Sequence, residues 1–143
     1  MIYLASPYSH PDPAIRDQRY LAACRATVRL LLAGQTVFSP VVHGHPLVQL
    51  GVSGDWRFWA RHDEQYLRRC DHVMVLRVEG WKESEGVQAE IELATRLGIP
   101  VVYAQERDVC ATSPKGRHHA HPGYPAPERD VGQRSAPEKK DQP

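Results

Sequence analysis

Apolar residues along the first hundred positions come in two alternating textures. Short runs read as strands: "IYLA" at Ile2–Ala5, "TVFS" at Thr36–Ser39, "HVMVLRV" at His72–Val78 and "IPVVYA" at Ile99–Ala104. Between them lie longer stretches in which apolar residues recur mostly at three- and four-residue steps. The first opens with Asp12-Pro13, an N-cap followed by a proline at the first helical position. Ile15, Leu21, Cys24, Val28, Leu31 and Leu32 trace its apolar face, and Gly34 ends it. A second helix is predicted from Trp56 to Arg69, capped by Asp55, and a third from Ser84 to Leu97, ended by Gly98. The segment from Pro40 to Gly54 holds two prolines, three glycines and "HGH", and reads as a loop.

Helices between strands that are apolar without alternation predict a parallel sheet covered on both faces. With right-handed crossovers the expected order is 2-1-3-4, a small doubly wound α/β sheet of the flavodoxin-like or Rossmann-like kind. The order reverses between strands one and three. Ligands of such sheets bind beyond the carboxyl ends of the strands at that point. The loops Ser6–His10 and Glu79–Ser84 are therefore expected to form a site.

Polar residues that break the apolar pattern narrow the site further. In the second helix Trp56, Trp59, Ala60, Leu67 and Cys70 make a stripe, and Asp63 falls inside it. A carboxylate on a packed face is costly unless it is paired or used. In the third helix Val87, Ile91, Ala94 and Leu97 make the packed stripe, and Glu90 borders it one turn from the helix start. The other glutamates nearby have ordinary readings. Glu85 suits the positive end of the helix dipole, Glu92 faces solvent with Arg96 four residues on, and Glu79 and Glu83 are loop charge. Ser84 reads as an N-cap. Gly86 in the first turn suggests close approach by a ligand or by backbone.

Composition changes this picture mainly at the end of the chain. The 143 residues carry 18 basic and 17 acidic side chains, a formal net charge of +1, so neither a basic field for a nucleic-acid polymer nor an acidic solvating tract is present. The first residues carry no signal-peptide pattern, and no apolar run has the length of a membrane span. Cys24, Cys70 and Cys110 are odd in number and widely spaced, as expected of reduced thiols in a cytoplasmic protein. Residues 1–105 are expected to form the domain and 106–143 a disordered tail, rich in proline and carrying "RHHAH". Neither phosphate-binding glycine signature occurs, and "HGH" (His43, His45) lacks a well-spaced third metal ligand, so no metal is assigned.

Four features in order and spacing bring a family into view: "IYLASPYS", "HDEQYLRRCDHVMVL", "SEGVQAEIELATRLGIPV" and the intervals between them. Together they resemble the nucleoside 2-deoxyribosyltransferase superfamily, over roughly residues 1–103. Relatives there include the 2'-deoxynucleoside 5'-phosphate N-hydrolases. "YLASPYSH", "FSPVVHGHP" and "GDWRFW" are similar to a bacterial and phage branch of it. The resemblance implies that Glu90, in the frame Gly86 to Ala94, is the nucleophile and that Asp63 is a catalytic acid or sugar anchor. It implies that Tyr3 positions Glu90, and that Ser84 contacts sugar or phosphate. Ser6, Ser9 and the start of the third helix are the remaining candidates for holding a 5'-phosphate. "HGH" and "GDWRFW" lie outside the transferase pattern, and its base-contacting residues after strand four have no match here.

The expected reaction is cleavage of an N-glycosidic bond in a nucleoside or nucleoside 5'-monophosphate, with water or a second base as acceptor and no cofactor. A homo-oligomer is implied as well. Two other classes compete: a nucleotide-binding sensor on the same fold without efficient turnover, and an interaction protein using its tail.

Overall fold

Sequence and sheet agree on the central arrangement. In this computed structural model, which describes residues 1–109, four strands lie in the order β2-β1-β3-β4, all parallel. They are β1 (Ile2–Ala5), β2 (Val37–Phe38), β3 (His72–Leu76) and β4 (Val101–Ala104). The helices are α1 (Pro13–Leu32), α2 (Pro40–Gln49), α3 (Trp56–Leu67) and α4 (Glu85–Arg96), followed by a 3-10 turn at Glu106–Asp108. The fold is Rossmann-like, with the order reversing between β1 and β3.

The two central strands are buried along their whole length, so their side chains build two cores in alternation. Ile2, Leu4, Met74 and Leu76 face α1 and pack with its Ala26 and Leu30. Tyr3, Ala5, Val73 and Val75 face the other way and pack with Leu67 of α3 and with Val87 and Ala94 of α4. This alternation puts the hydroxyl-bearing Tyr3 on the same side as Asp63 and Glu90.

Three expectations need correction. The first concerns the face of α1. Its buried residues are Ala22, Ala23, Ala26 and Leu30, while Leu21, Val28, Leu31 and Leu32 are exposed. Small side chains let the helix approach the sheet closely, and the larger aliphatic residues that define the apolar period lie on the outer side.

The second concerns Pro40–Gly54, which is not a loop but begins with α2. Ser39 caps it, its hydroxyl accepting from the Val42 N–H at 3.4 Å, and Pro40 takes the first helical position. Pro46 sits inside the helix and removes one backbone donor. Buried Val41 and Gly44 offset that loss: a methyl at Gly44 would lie 3.7 Å from the Trp59 indole, so the helix rides directly on that ring.

The third concerns the end of the domain. Val109 is fully buried, Glu106 accepts from Arg25 at 2.5 Å, and the Glu106 carbonyl accepts from Arg29. The described fold therefore extends to Val109, four residues past the expected boundary at 105. The rest of the expected tail, with Cys110 and "RHHAH", lies outside the described residues. Cys24 and Cys70 are free thiols. Glu92 is exposed as expected, but no ion pair joins it to Arg96.

Candidate functional site

Beyond the carboxyl ends of β1 and β3 lies a cavity of about 290 Å³. That is close to the lower end of ordinary small-molecule sites, about 300–1,000 Å³. The loop after β1 contributes Ser6, Tyr8 and Ser9. The start of α4 and the residues before it contribute Glu83, Ser84, Glu85, Gly86 and Glu90. α3 contributes Trp56, Trp59 and Asp63, and α2 contributes Val41, His45 and Val48.

Local contacts fix this mouth. Arg19 of α1 donates to the Ser9 carbonyl at 2.6 Å, and its guanidinium lies where a side chain at Gly80 would stand. Gly80 has a φ of +82°, so glycine suits it on backbone grounds as well. One arginine thus joins the loop after β1 to the loop after β3. Ser84 caps α4, its hydroxyl accepting from the Val87 N–H at 3.4 Å. The Trp56 indole donates to Glu85 at 2.8 Å, tying the starts of α3 and α4 together. A methyl at Gly86 would meet the Trp56 Cβ at 3.5 Å, ordinary contact, so glycine there leaves room for a ligand without being required by the packing.

Deeper in, the Tyr3 hydroxyl donates to Glu90 Oε1 at 2.7 Å. Glu90 as a residue is only half-buried because it lines the cavity, but protein closes around its carboxyl group. That burial pushes its pKa from 4.5 up to about 8; the Tyr3 hydrogen bond works against the rise and the nearby Asp63 charge adds to it. Asp63 is 8% exposed, and burial raises its pKa too. A contact between Asp63 Oδ1 and His62 Nδ1 at 3.1 Å opposes that rise, helped by the neighbouring His43. Burial, with Glu90 and then Asp63 beside it, lifts the Tyr3 hydroxyl well above its usual range, so it stays a donor. The Asp63 charge beside Glu90 disfavours ionisation of both carboxyls at once.

A second cavity, about 340 Å³, opens between α3 and α4 on the other side of this pair. It shares Trp56, Asp63, Gly86 and Glu90 with the first and is also lined by Tyr3. Asp63 and Glu90 therefore stand where the two spaces adjoin.

All seven candidates from the sequence gather here. Tyr3, Asp63 and Glu90 form the buried centre, and Ser6, Ser9, Ser84 and Gly86 line the first cavity with two of them. The Ser6 hydroxyl is buried and has no hydrogen-bond partner. The sequence reading missed the wall supplied by α2. Its signal was present, since Ser39-Pro40 repeats the cap pattern of Asp12-Pro13, and Val41, His45 and Val48 follow at four- and three-residue steps. His45 is held by Tyr8, whose hydroxyl is 3.1 Å from Nδ1, and by Tyr20, stacked at 3.9 Å. His43, two residues earlier, points elsewhere and stacks on His62 at 5.4 Å. The two histidines of "HGH" diverge, as i,i+2 residues of a helix must. Among the described residues no group of three His, Cys, Asp or Glu is arranged to hold a metal ion.

No curated protein matches the chain. Residues 1–106, the whole of the sheet and its helices, match the family model described as a domain of unknown function, DUF1937, and the chain belongs to that family.

Proposed function

We propose that this protein cleaves or exchanges the N-glycosidic bond of nucleosides or nucleoside 5'-monophosphates, with Glu90 as nucleophile. The observation that carries this reading is the buried Tyr3–Glu90–Asp63 centre, which lies at the strand-order reversal with cavities on either side. The resemblance of the sequence motifs to nucleoside 2-deoxyribosyltransferases supports it independently.

In this reading the Glu90 carboxylate attacks the anomeric carbon as the carbon–nitrogen bond breaks. The base leaves with the bonding electrons and takes up a proton. Water then opens the glycosyl ester and returns Glu90 as carboxylate; a second base in place of water gives exchange. Asp63 protonates the leaving base or anchors a sugar hydroxyl. Tyr3 holds Glu90 in line by its hydroxyl. Glu90 must ionise before it attacks, so its raised pKa makes activity rise with pH towards about 8. The carboxylate then faces positive charge developing on the sugar in a site of low dielectric, where it acts most strongly. No cofactor is needed for these steps.

A sensor that binds nucleotides without efficient turnover is the second reading. It is favoured by the same raised pKa, which keeps Glu90 largely neutral near pH 7. Incubation with a panel of deoxynucleosides and deoxynucleoside monophosphates, read by chromatography for free base, separates the two. Release of base supports the enzyme. Ligand binding without release supports the sensor.

Association of copies of the chain belongs to the same proposal. The exposed aliphatic stripe of Leu21, Val28, Leu31 and Leu32 supports it, and sedimentation velocity checks it. No described helix is long and apolar enough to cross a membrane, which agrees with a cytoplasmic site of action.

A further inference from the structure

The acidic side chains that line the first cavity are Asp63, Glu83, Glu85 and Glu90, and the basic group beside them is the His45 imidazole, held by Tyr8 and Tyr20. Glu83 and Glu85 flank Ser84 at its mouth, where the start of α4 would otherwise favour an anion. Glu85 is held in place by the Trp56 indole at 2.8 Å. The Ser84 hydroxyl already accepts the Val87 N–H as a helix cap. The nearest arginines of α1 are engaged with backbone oxygens: Arg16 donates to the His10 carbonyl and Arg19 to the Ser9 carbonyl, each at 2.6 Å. A phosphate brought to this mouth would meet two carboxylates against one exposed guanidinium, that of Arg57, which is already 3.9 Å from Glu85. Like charges a few ångströms apart repel, and because Glu83 and Glu85 are exposed the repulsion depends on ionic strength.

What the cavity does offer suits an uncharged ligand. Trp56, Trp59, Val41 and Val48 give it an apolar wall on which a planar heterocycle can lie. Ser6 lines the cavity, and its hydroxyl, more than nine-tenths buried and unpartnered, has both its donor and its acceptor unused. Resting on the glycosidic reading above, we infer that the cavity selects unphosphorylated nucleosides and rejects their 5'-monophosphates, with Glu83 and Glu85 as the excluding charges. This narrows the substrate to one of the two classes that the sequence left open, and it gives Ser6 and Ser84 contacts to sugar in place of phosphate.

The test is calorimetric titration of the full chain with each common 2'-deoxynucleoside and, in parallel, its 5'-monophosphate, at one ionic strength. At least one nucleoside is expected to bind tenfold or more tightly than its monophosphate. The E83Q/E85Q double variant, which keeps an oxygen acceptor for Trp56, is expected to narrow that ratio at least threefold by improving monophosphate binding. Glu83→Gln alone, in an exposed loop position, is the safeguard should the double variant fold poorly, and is expected to narrow the ratio in the same direction. Monophosphates that bind as tightly as nucleosides overturn the inference. So does a ratio unmoved by the variants, or the absence of binding by either member of every pair. Nucleoside binding with the expected ratio but no free base leaves the selectivity standing and removes the glycosidic reading instead.

Discussion

The hydroxyl of Tyr3, in the second position of β1, meets the carboxyl of Glu90, in the second turn of α4, at 2.7 Å across 87 residues of chain. Parallel pairing of β1 with β3 brings these two positions together, because α4 follows β3 directly and packs back over the face on which Tyr3 points. The contact opposes the rise that burial imposes on Glu90. Tyr3→Phe keeps the ring and its packing against Phe38 but removes the donor. Glu90 should then ionise only at higher pH. The alkaline rise of kcat/KM is expected to move up by several tenths of a pH unit or more, with about a 10–100-fold loss near pH 7. A pH–rate profile that shifts is the mark of a positioning role; a uniform loss at every pH is not.

Glu90 also sets how stability responds to pH. A carboxyl whose pKa is 4.5 when unfolded and about 8 when folded binds more protons in the folded state between those values. Stability is therefore present at low pH and is lost as pH rises through that interval. The folded wild type is expected to melt at falling temperature from about pH 5 to about pH 9, and Glu90→Gln, neutral throughout, to flatten that slope. Thermal unfolding of both proteins across this range checks it. At the alkaline end the variant should be the more stable of the two.

The corrected face of α1 can be tested by paired substitutions. Leu30 is fully buried, whereas Leu31 is 55% exposed. Leu30→Ala is expected to cost about 2–5 kcal/mol by loss of burial and a residual cavity. Leu31→Ala is expected to stay within about 0.5 kcal/mol in the monomer. Chemical denaturation at low protein concentration measures both.

Gly86 separates packing from access. Alanine fits at 3.5 Å from the Trp56 Cβ and should leave folding and ligand binding near wild type. Leucine would extend into the space shared by both cavities. Gly86→Leu is expected to weaken nucleoside binding at least about tenfold, a change of roughly 1.4 kcal/mol, while the melting temperature moves little. Calorimetric titration and thermal unfolding of the two variants provide the comparison.

Much of this was legible in the chain because each signal had a single physical meaning. Apolar runs without alternation gave the parallel sheet and its order. Asp63 stood out as a carboxylate on a packed stripe, and Glu90 as the one acid at a stripe edge near the order reversal. The misreadings have particular causes. In α1 the buried face is made of alanines, and a reading weighted to large aliphatic residues turns the helix the wrong way. In α2 the proline and glycine content outweighed a cap and a helical step that were both present. The partner that holds Glu90 was expected only through resemblance, since no local pattern ties residue 3 to residue 90. Their contact depends on strand register, which emerges only when the sheet is assembled.

The central claim is that Glu90 forms the bond to the sugar. Its most direct test is free-base release from the best nucleoside of a panel, measured side by side for wild type and Glu90→Gln, with circular dichroism to show that the fold is kept. Release by the wild type and a loss of at least about 10³-fold in the variant is the expected result. Base released at wild-type rate by Glu90→Gln would contradict it.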